Sequence, residues 1–206
     1  MTKNIALLIL LLVQSFFCII YSMSIEIENN NIIDPKVRWT GNLSAYFLDN
    51  WGYTVLTATE LPLITRGIKT FTPGVFDRYT DLQTLRLTEN EIASYPEKTF
   101  SELAKLDEIY LDKNYLTKIS KSTFNENIQL VDLSSNILTS VSEAFLTLSR
   151  LDTLILSRNQ ISNFDFVGSI PSLTYLDMSF NTISSITCSK IAQLETLILA
   201  HNSRLT

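Results

Sequence analysis

Few side chains in this sequence suit covalent chemistry. It has a single histidine, His201, and two cysteines, Cys18 and Cys188. A Cys–His nucleophile needs thiol and imidazole within hydrogen-bond reach of each other. His201 sits beside Asn202 just after a short apolar strand pattern, whereas Cys188 falls in the segment between two such patterns. A coil that gathers its strands on one side keeps the two apart. Cys188 reads as a small buried apolar residue, with an intermolecular disulfide as the other use of its thiol. There is no metal-ligand spacing and no glycine-rich phosphate loop, and only five glycines occur in all. No catalytic residue, cofactor or metal is expected, and the chain does not read as an enzyme. With 16 Lys and Arg against 21 Asp and Glu, the formal charge is −5, which argues against nucleic acid as a partner. What remains is the chemistry of recognition. The candidate partner-binding residues are Arg86, Glu108, Tyr110, Asp112, Asp132, Ile155, Tyr175 and Asp177. They interleave charge with aromatic and aliphatic surface, the mixture from which interface hot spots are built.

An eleven-residue pattern carries these residues. LQTLRLTENEI starts at Leu82, LDEIYLDKNYL at Leu106, IQLVDLSSNIL at Ile128, LDTLILSRNQI at Leu151, LTYLDMSFNTI at Leu173 and LETLILAHNSR at Leu194. The starts are 24, 22, 23, 22 and 21 residues apart. Self-similarity at this period marks a solenoid, whose units stack because none buries its apolar face alone. Within a copy the second and third apolar residues, such as Leu85 and Leu87, are two apart, which is strand spacing. They point inward, and the residues between them point outward. Stacked copies then form a parallel sheet with three outward columns. The first holds Glu108, Leu130 and Tyr175; the second Arg86, Tyr110, Asp132, Ile155 and Asp177; the third Asp112. Acids outnumber bases on this face.

The ninth place of all six copies is asparagine: Asn90, Asn114, Asn136, Asn159, Asn181 and Asn202. An amide both donates and accepts, so a buried Asn column can satisfy turn backbone that no regular ladder reaches. These residues are expected to form a structural ladder. Between copies, Phe100, Phe124 and Phe145 share one position, and Leu103, Leu148, Ile170 and Ile191 precede the next copy by three residues. A worn seventh copy, ATELPLITRGI, runs from Ala58 to Ile68, with Arg66 in place of the Asn and Phe76 in step with Phe100.

On these residues the chain resembles the leucine-rich repeat family over 58–206, in its extracellular type of roughly 24 residues with an F-xx-L on the outer side. The resemblance implies an α/β solenoid: a horseshoe with a parallel β-sheet on the concave face and short irregular or helical convex segments. About seven repeats are expected, the last incomplete. The worn first copy and cysteine-poor ends resemble, more narrowly, the secreted leucine-rich repeat immune proteins of insects.

Residues 1–24 read as a signal peptide. Lys3 begins it, Ile5–Val13 is unbroken apolar chain, and Ser22 and Ser24 have the spacing a signal peptidase reads. Cleavage follows Ser24 or Ser22. An uncleaved anchor is the alternative, since Phe16, Phe17, Ile19 and Ile20 prolong the apolar character beyond Gln14 and Ser15, although a span wants about 20 apolar residues. Residues 25–57 read as an N-terminal cap, with Trp39, Trp51, Tyr46, Phe47 and Tyr53 packed over the first rung and Thr54–Thr57 as an edge strand. Asn42-Leu43-Ser44 is a glycosylation sequon. Two features depart from the family's pattern. Loss of Cys18 leaves Cys188 alone, without the usual cysteine-rich caps, and the chain stops after the strand of its last copy. A fragment of a longer protein is therefore expected, with an exposed edge prone to pairing. The resulting expectation is a secreted or cell-surface module that binds a protein ligand or partner subunit, with innate immunity as its implied setting. The alternatives are the N-terminal part of a longer single-pass receptor, or a matrix or adhesion protein. A membrane enters only if a longer form carries a transmembrane helix.

Overall fold

The computed structural model describes residues 27–28, 31–32, 40–141, 143–146, 148–186 and 193–205. The signal segment 1–24, Trp39, Cys188 and Ile191 lie outside them. The chain divides into two compact units, 1–39 and 40–206, a boundary that falls inside the region 25–57. In the first unit β1 (Ile27–Glu28) pairs antiparallel with β2 (Asn31–Ile32).

The second unit is the solenoid. Its seven-stranded sheet contains β4 (Glu60–Pro62), β6 (Thr84–Arg86), β7 (Glu108–Tyr110), β8 (Leu130–Asp132), β9 (Thr153–Ile155), β10 (Tyr175–Asp177) and β11 (Thr196–Ile198), in the order β11-β10-β9-β8-β7-β6-β4. Every pairing is parallel. The worn copy therefore does form the first rung. Alternation sends the central residue of each strand inward: Leu61, Leu85, Ile109, Val131, Leu154 and Leu176 are all 0–1% exposed. The two flanking residues of each inner strand stay half-exposed on the other face. In the last rung Leu194, Leu197 and Leu199 are only half-buried, while their counterparts Leu151, Leu154 and Leu156 are fully buried.

The Asn ladder explains why one polar residue recurs inside an apolar coil. Asn136 Oδ1 accepts from the Leu116 N–H at 2.9 Å, and its Nδ2 donates to the carbonyls of Leu111 (2.9 Å), Leu133 (3.0 Å) and Ser134 (3.3 Å). Each ladder member thus binds backbone of its own rung and of the rung before it. Asn90, Asn114, Asn159, Asn181 and Asn202 repeat the arrangement. Arg66 begins the first rung's turn, where no earlier rung needs binding, and its guanidinium lies 5.2 Å from the Trp51 ring instead. The residue just before the ladder position is left-handed in all seven rungs: Thr65, Glu89, Lys113, Ser135, Arg158, Phe180 and His201 have φ between 52° and 61°. None is glycine, so the turn holds these residues in a conformation that L side chains enter at a cost.

Among the described residues the convex side is short and irregular, apart from one 3-10 turn at Asp165–Ser169. Phe76, Phe100, Phe124 and Phe145 are buried there. The rings stack at 6.3 Å (Phe76 and Phe100) and 5.9 Å (Phe124 and Phe145). Ile186 is 42% exposed, whereas Phe164, 22 residues earlier, is 1% exposed. A second buried asparagine, Asn125, donates to the Leu103 and Leu106 carbonyls at 2.8 and 2.9 Å and so ties neighbouring turns together on this side.

At the other end, β3 (Asn42–Leu43) pairs parallel with β5 (Thr70–Phe71), and helix α1 (Ala45–Asn50) follows. Leu43 and Leu48 are fully buried. Thr54–Thr57 is not an edge strand. It forms a turn closed by the Ala58 N–H on the Val55 carbonyl, and Val55 and Leu56 are exposed. The sheet edge remains β4, where Pro62 has no N–H to offer and the Tyr53 hydroxyl donates to the Pro62 carbonyl at 2.7 Å. A proline and a capped carbonyl blunt the edge without another strand.

Candidate protein-interaction surface

Seven of the eight candidate residues lie on strands of the sheet, and Asp112 lies just beyond β7. The register places Arg86, Tyr110, Asp132, Ile155 and Asp177 side by side in one column, and Glu108, Leu130, Thr153 and Tyr175 in another. All eight have outward positions, half-exposed. They separate into two groups.

In the first group the side chains satisfy one another. Arg86 Nε donates to Glu60 Oε1 at 2.7 Å, and its guanidinium lies 4.1 Å from the Tyr110 ring centroid. The Tyr110 hydroxyl donates to Glu108 Oε2 at 3.1 Å. Thr88 Oγ1 donates to Asp112 Oδ1 at 2.7 Å. The Glu60 carboxylate holds Arg86 charged, while burial, and then Glu108, push the Tyr110 phenol up. Glu60 was missed in the sequence. Extending the first outward column back one copy, through the worn repeat, places it beside Thr84 and diagonal to Arg86.

In the second group the acids hold no cation among the described residues. Asp132 Oδ1 accepts the Ser134 N–H at 2.9 Å, and Asp177 Oδ1 accepts the Ser179 N–H at 2.8 Å. This local bond two residues ahead is a common habit of aspartate and fixes each carboxylate against the sheet. Ile155 stands between the two in register, and Tyr175 lies on the same strand as Asp177. Burial pushes the Asp132 carboxyl above the usual carboxylate range. The Ser134 hydrogen bonds pull the other way, and the charges of Asp112 and Asp177 add to the rise. A partner that brings positive charge would relieve this repulsion.

Among the described residues no cluster of His, Cys, Asp and Glu is arranged to hold a metal, and no helix is long and apolar enough to cross a membrane. His201 is exposed and stacks on Phe180 with ring centroids 4.1 Å apart.

Family models described as leucine rich repeat match residues 59–116 and 105–161, and one for two copies of the repeat matches 149–192. The chain belongs to the leucine-rich repeat family. This leucine-rich repeat chain is 34% identical to fibromodulin of Bos taurus over 142 residues, which is 66% of this chain and 37% of that protein. Its fold matches the crystal structure of the APL1 leucine-rich repeat domain with a TM-score of 0.66 at 24% identity, covering 78% of this chain and 41% of that one. It matches the structure of the Toll–Spatzle complex, a molecular hub in Drosophila development and innate immunity, with a TM-score of 0.65 at 22% identity over 74% of this chain and 21% of that one. The chain thus spans well under half the length of each.

Proposed function

We propose that this leucine-rich repeat chain is an extracellular recognition module that grips a protein partner with the later part of its concave sheet. The observation that carries the reading is the second group of outward residues. Asp132 and Asp177 stand on β8 and β10 with no cation, on either side of Ile155 and beside Tyr175. Charge repulsion that a fold retains at some cost to itself is a common mark of a recognition surface. Export through a signal peptide at 1–24 fits this role, as does N-glycosylation at Asn42, which is exposed on β3. Innate immunity is the setting we favour, in keeping with the likeness to the Toll–Spatzle structure. A second reading makes these turns the N-terminal part of a longer single-pass receptor or of a matrix protein. The small share of fibromodulin, APL1 and Toll that the chain spans favours it.

The test is affinity capture from extracellular fluid by the secreted protein. A specific retained protein should be lost with Asp177→Asn or Tyr175→Ser and kept with Lys121→Ala, an exposed substitution outside the sheet. Retention that ignores the concave variants contradicts the reading. N-terminal sequencing and glycosidase treatment of the same material check cleavage near Ser24 and the glycan on Asn42.

A further inference from the structure

Four arginines in the described residues lie against aromatic rings, and three of them also hold an oxygen. Arg78, 5.0 Å from the Tyr79 centroid, meets Asp49 at 2.6 Å. Arg86, 4.1 Å from Tyr110, meets Glu60 at 2.7 Å. Arg66, 5.2 Å from Trp51, meets the Tyr53 hydroxyl at 3.4 Å. Arg158 lies 4.2 Å from the Phe180 centroid, and its guanidinium holds no carboxylate or hydroxyl among the described residues. The difference follows from the rung before it. In the column of left-handed residues, Lys113 takes its acid from Glu89 one rung earlier, at 3.1 Å. One rung before Arg158 that place is occupied by Ser135, which has no charge to give.

The stack continues past Phe180 to His201, whose ring lies nearly parallel at 17°. Phe180 is the one apolar residue in a column otherwise made of Thr, Glu, Lys, Ser, Arg and His, and it is 39% exposed. An arginine packed over a ring face is held there while its N–H groups stay open at the edge to a bidentate carboxylate. We infer that the rim formed by Arg158, Phe180 and His201 is a seat for a carboxylate side chain on an acidic segment of a partner protein. The rim lies beyond the strand ends and is distinct from the acidic concave sheet. It asks for the opposite charge, so the two surfaces recognise different parts of a partner. The seat does not depend on the concave reading and stands or falls separately.

The probe is a short peptide of alternating Glu and Ser, with a Gln and Ser peptide as control. It is titrated into the full chain while the arginine Nε–H and aromatic ring signals are followed by NMR. The acidic peptide should shift the signals of Arg158, Phe180 and His201 and leave those of Arg86 still. Arg158→Gln should weaken binding by about fivefold, the scale of one exposed charge pair. Phe180→Leu should weaken it less, because the guanidinium keeps its charge but loses its platform. Equal binding by Arg158→Gln, equal binding of the uncharged peptide, or shifts centred on Arg86 would overturn the inference. So would the absence of any shift at Arg158 when the acidic peptide is saturating.

Discussion

The early and late turns of this solenoid share one interior and wear different surfaces. Every ion pair between described residues lies between Asp49 and Lys113: Arg78 with Asp49, Arg86 with Glu60, Lys69 with Glu91, Lys105 with Asp81 and Lys113 with Glu89. In most of them a base on one rung meets an acid on the rung before it. The period of the repeat brings the two together, so a charge choice made once is answered about 24 residues away. From β8 onward no ion pair joins two described residues. Among the described residues, Asp132 and Asp177 face the concave side without a base, and Arg158 stands on the rim without an acid. The interior does not notice. Asn136 in the late turns repeats the backbone bonds of Asn90 in the early ones, where Asn90 accepts the Arg66 N–H as well. Stacking satisfies the backbone everywhere and the side chains only where neighbouring rungs carry matched charges. A solenoid can therefore leave part of its surface unmatched at little cost to its fold.

The largest effect should come from the feature both regions share. Asn136→Ala strands the buried Leu116 N–H and takes one of two donors from each of the Leu111, Leu133 and Ser134 carbonyls, and should cost about 2 kcal/mol. Asn90→Ala should cost a similar amount, while Ser135→Ala should stay within about 0.5 kcal/mol. Denaturant melts of the three variants check this, and equal midpoints for Asn136→Ala and Ser135→Ala would break the ladder account. A smaller effect should divide the two regions. Glu60→Gln removes the partner of Arg86 and should cost up to about 1 kcal/mol, with less loss at high salt. Asp177→Asn removes a charge that has no partner, so its melting midpoint should not fall.

The smallest effect sharpens the contrast through pH. A carboxyl held above its unfolded value favours folding while protonated, and that contribution is lost as pH rises through its folded value. Asp132 is such a group, held up first by burial. Asp132→Asn keeps an oxygen for the Ser134 N–H, so it should raise the melting temperature slightly at neutral pH. The gain should fade as pH falls into the acid range where Asp132 itself protonates. Parallel melts of wild type and variant at neutral and acid pH measure it.

The framework was legible because its causes recur. A leucine at fixed spacing and an asparagine at the ninth place, repeated six times, leave one way to stack, and the outward columns follow from alternation alone. Pairings that depend on two rungs at once were harder to read. The Glu60–Arg86 bond needed the worn first copy to be read as a full rung. The Arg158–Phe180–His201 stack depends on the left-handed turn, which aims three unlike side chains along one line. Nothing in the types Arg, Phe and His announces that backbone, since glycine, its usual marker, is absent there. Thr54–Thr57 looked like a strand by composition, but Pro62 and the Tyr53 hydroxyl had already closed the edge it would have joined.

The central claim is that the late part of the concave sheet, and not the early part, meets the partner. Tyr110 and Tyr175 test it most directly, since both are outward tyrosines on strands of one sheet and only Tyr110 is covered by an arginine. A benzophenone amino acid placed at either position and irradiated in extracellular fluid from the protein's source reports what each one touches. The account predicts a discrete protein adduct from position 175, competed by unlabelled chain, and little or none from position 110. Equal adducts from both positions, or an adduct from position 110 alone, would contradict it.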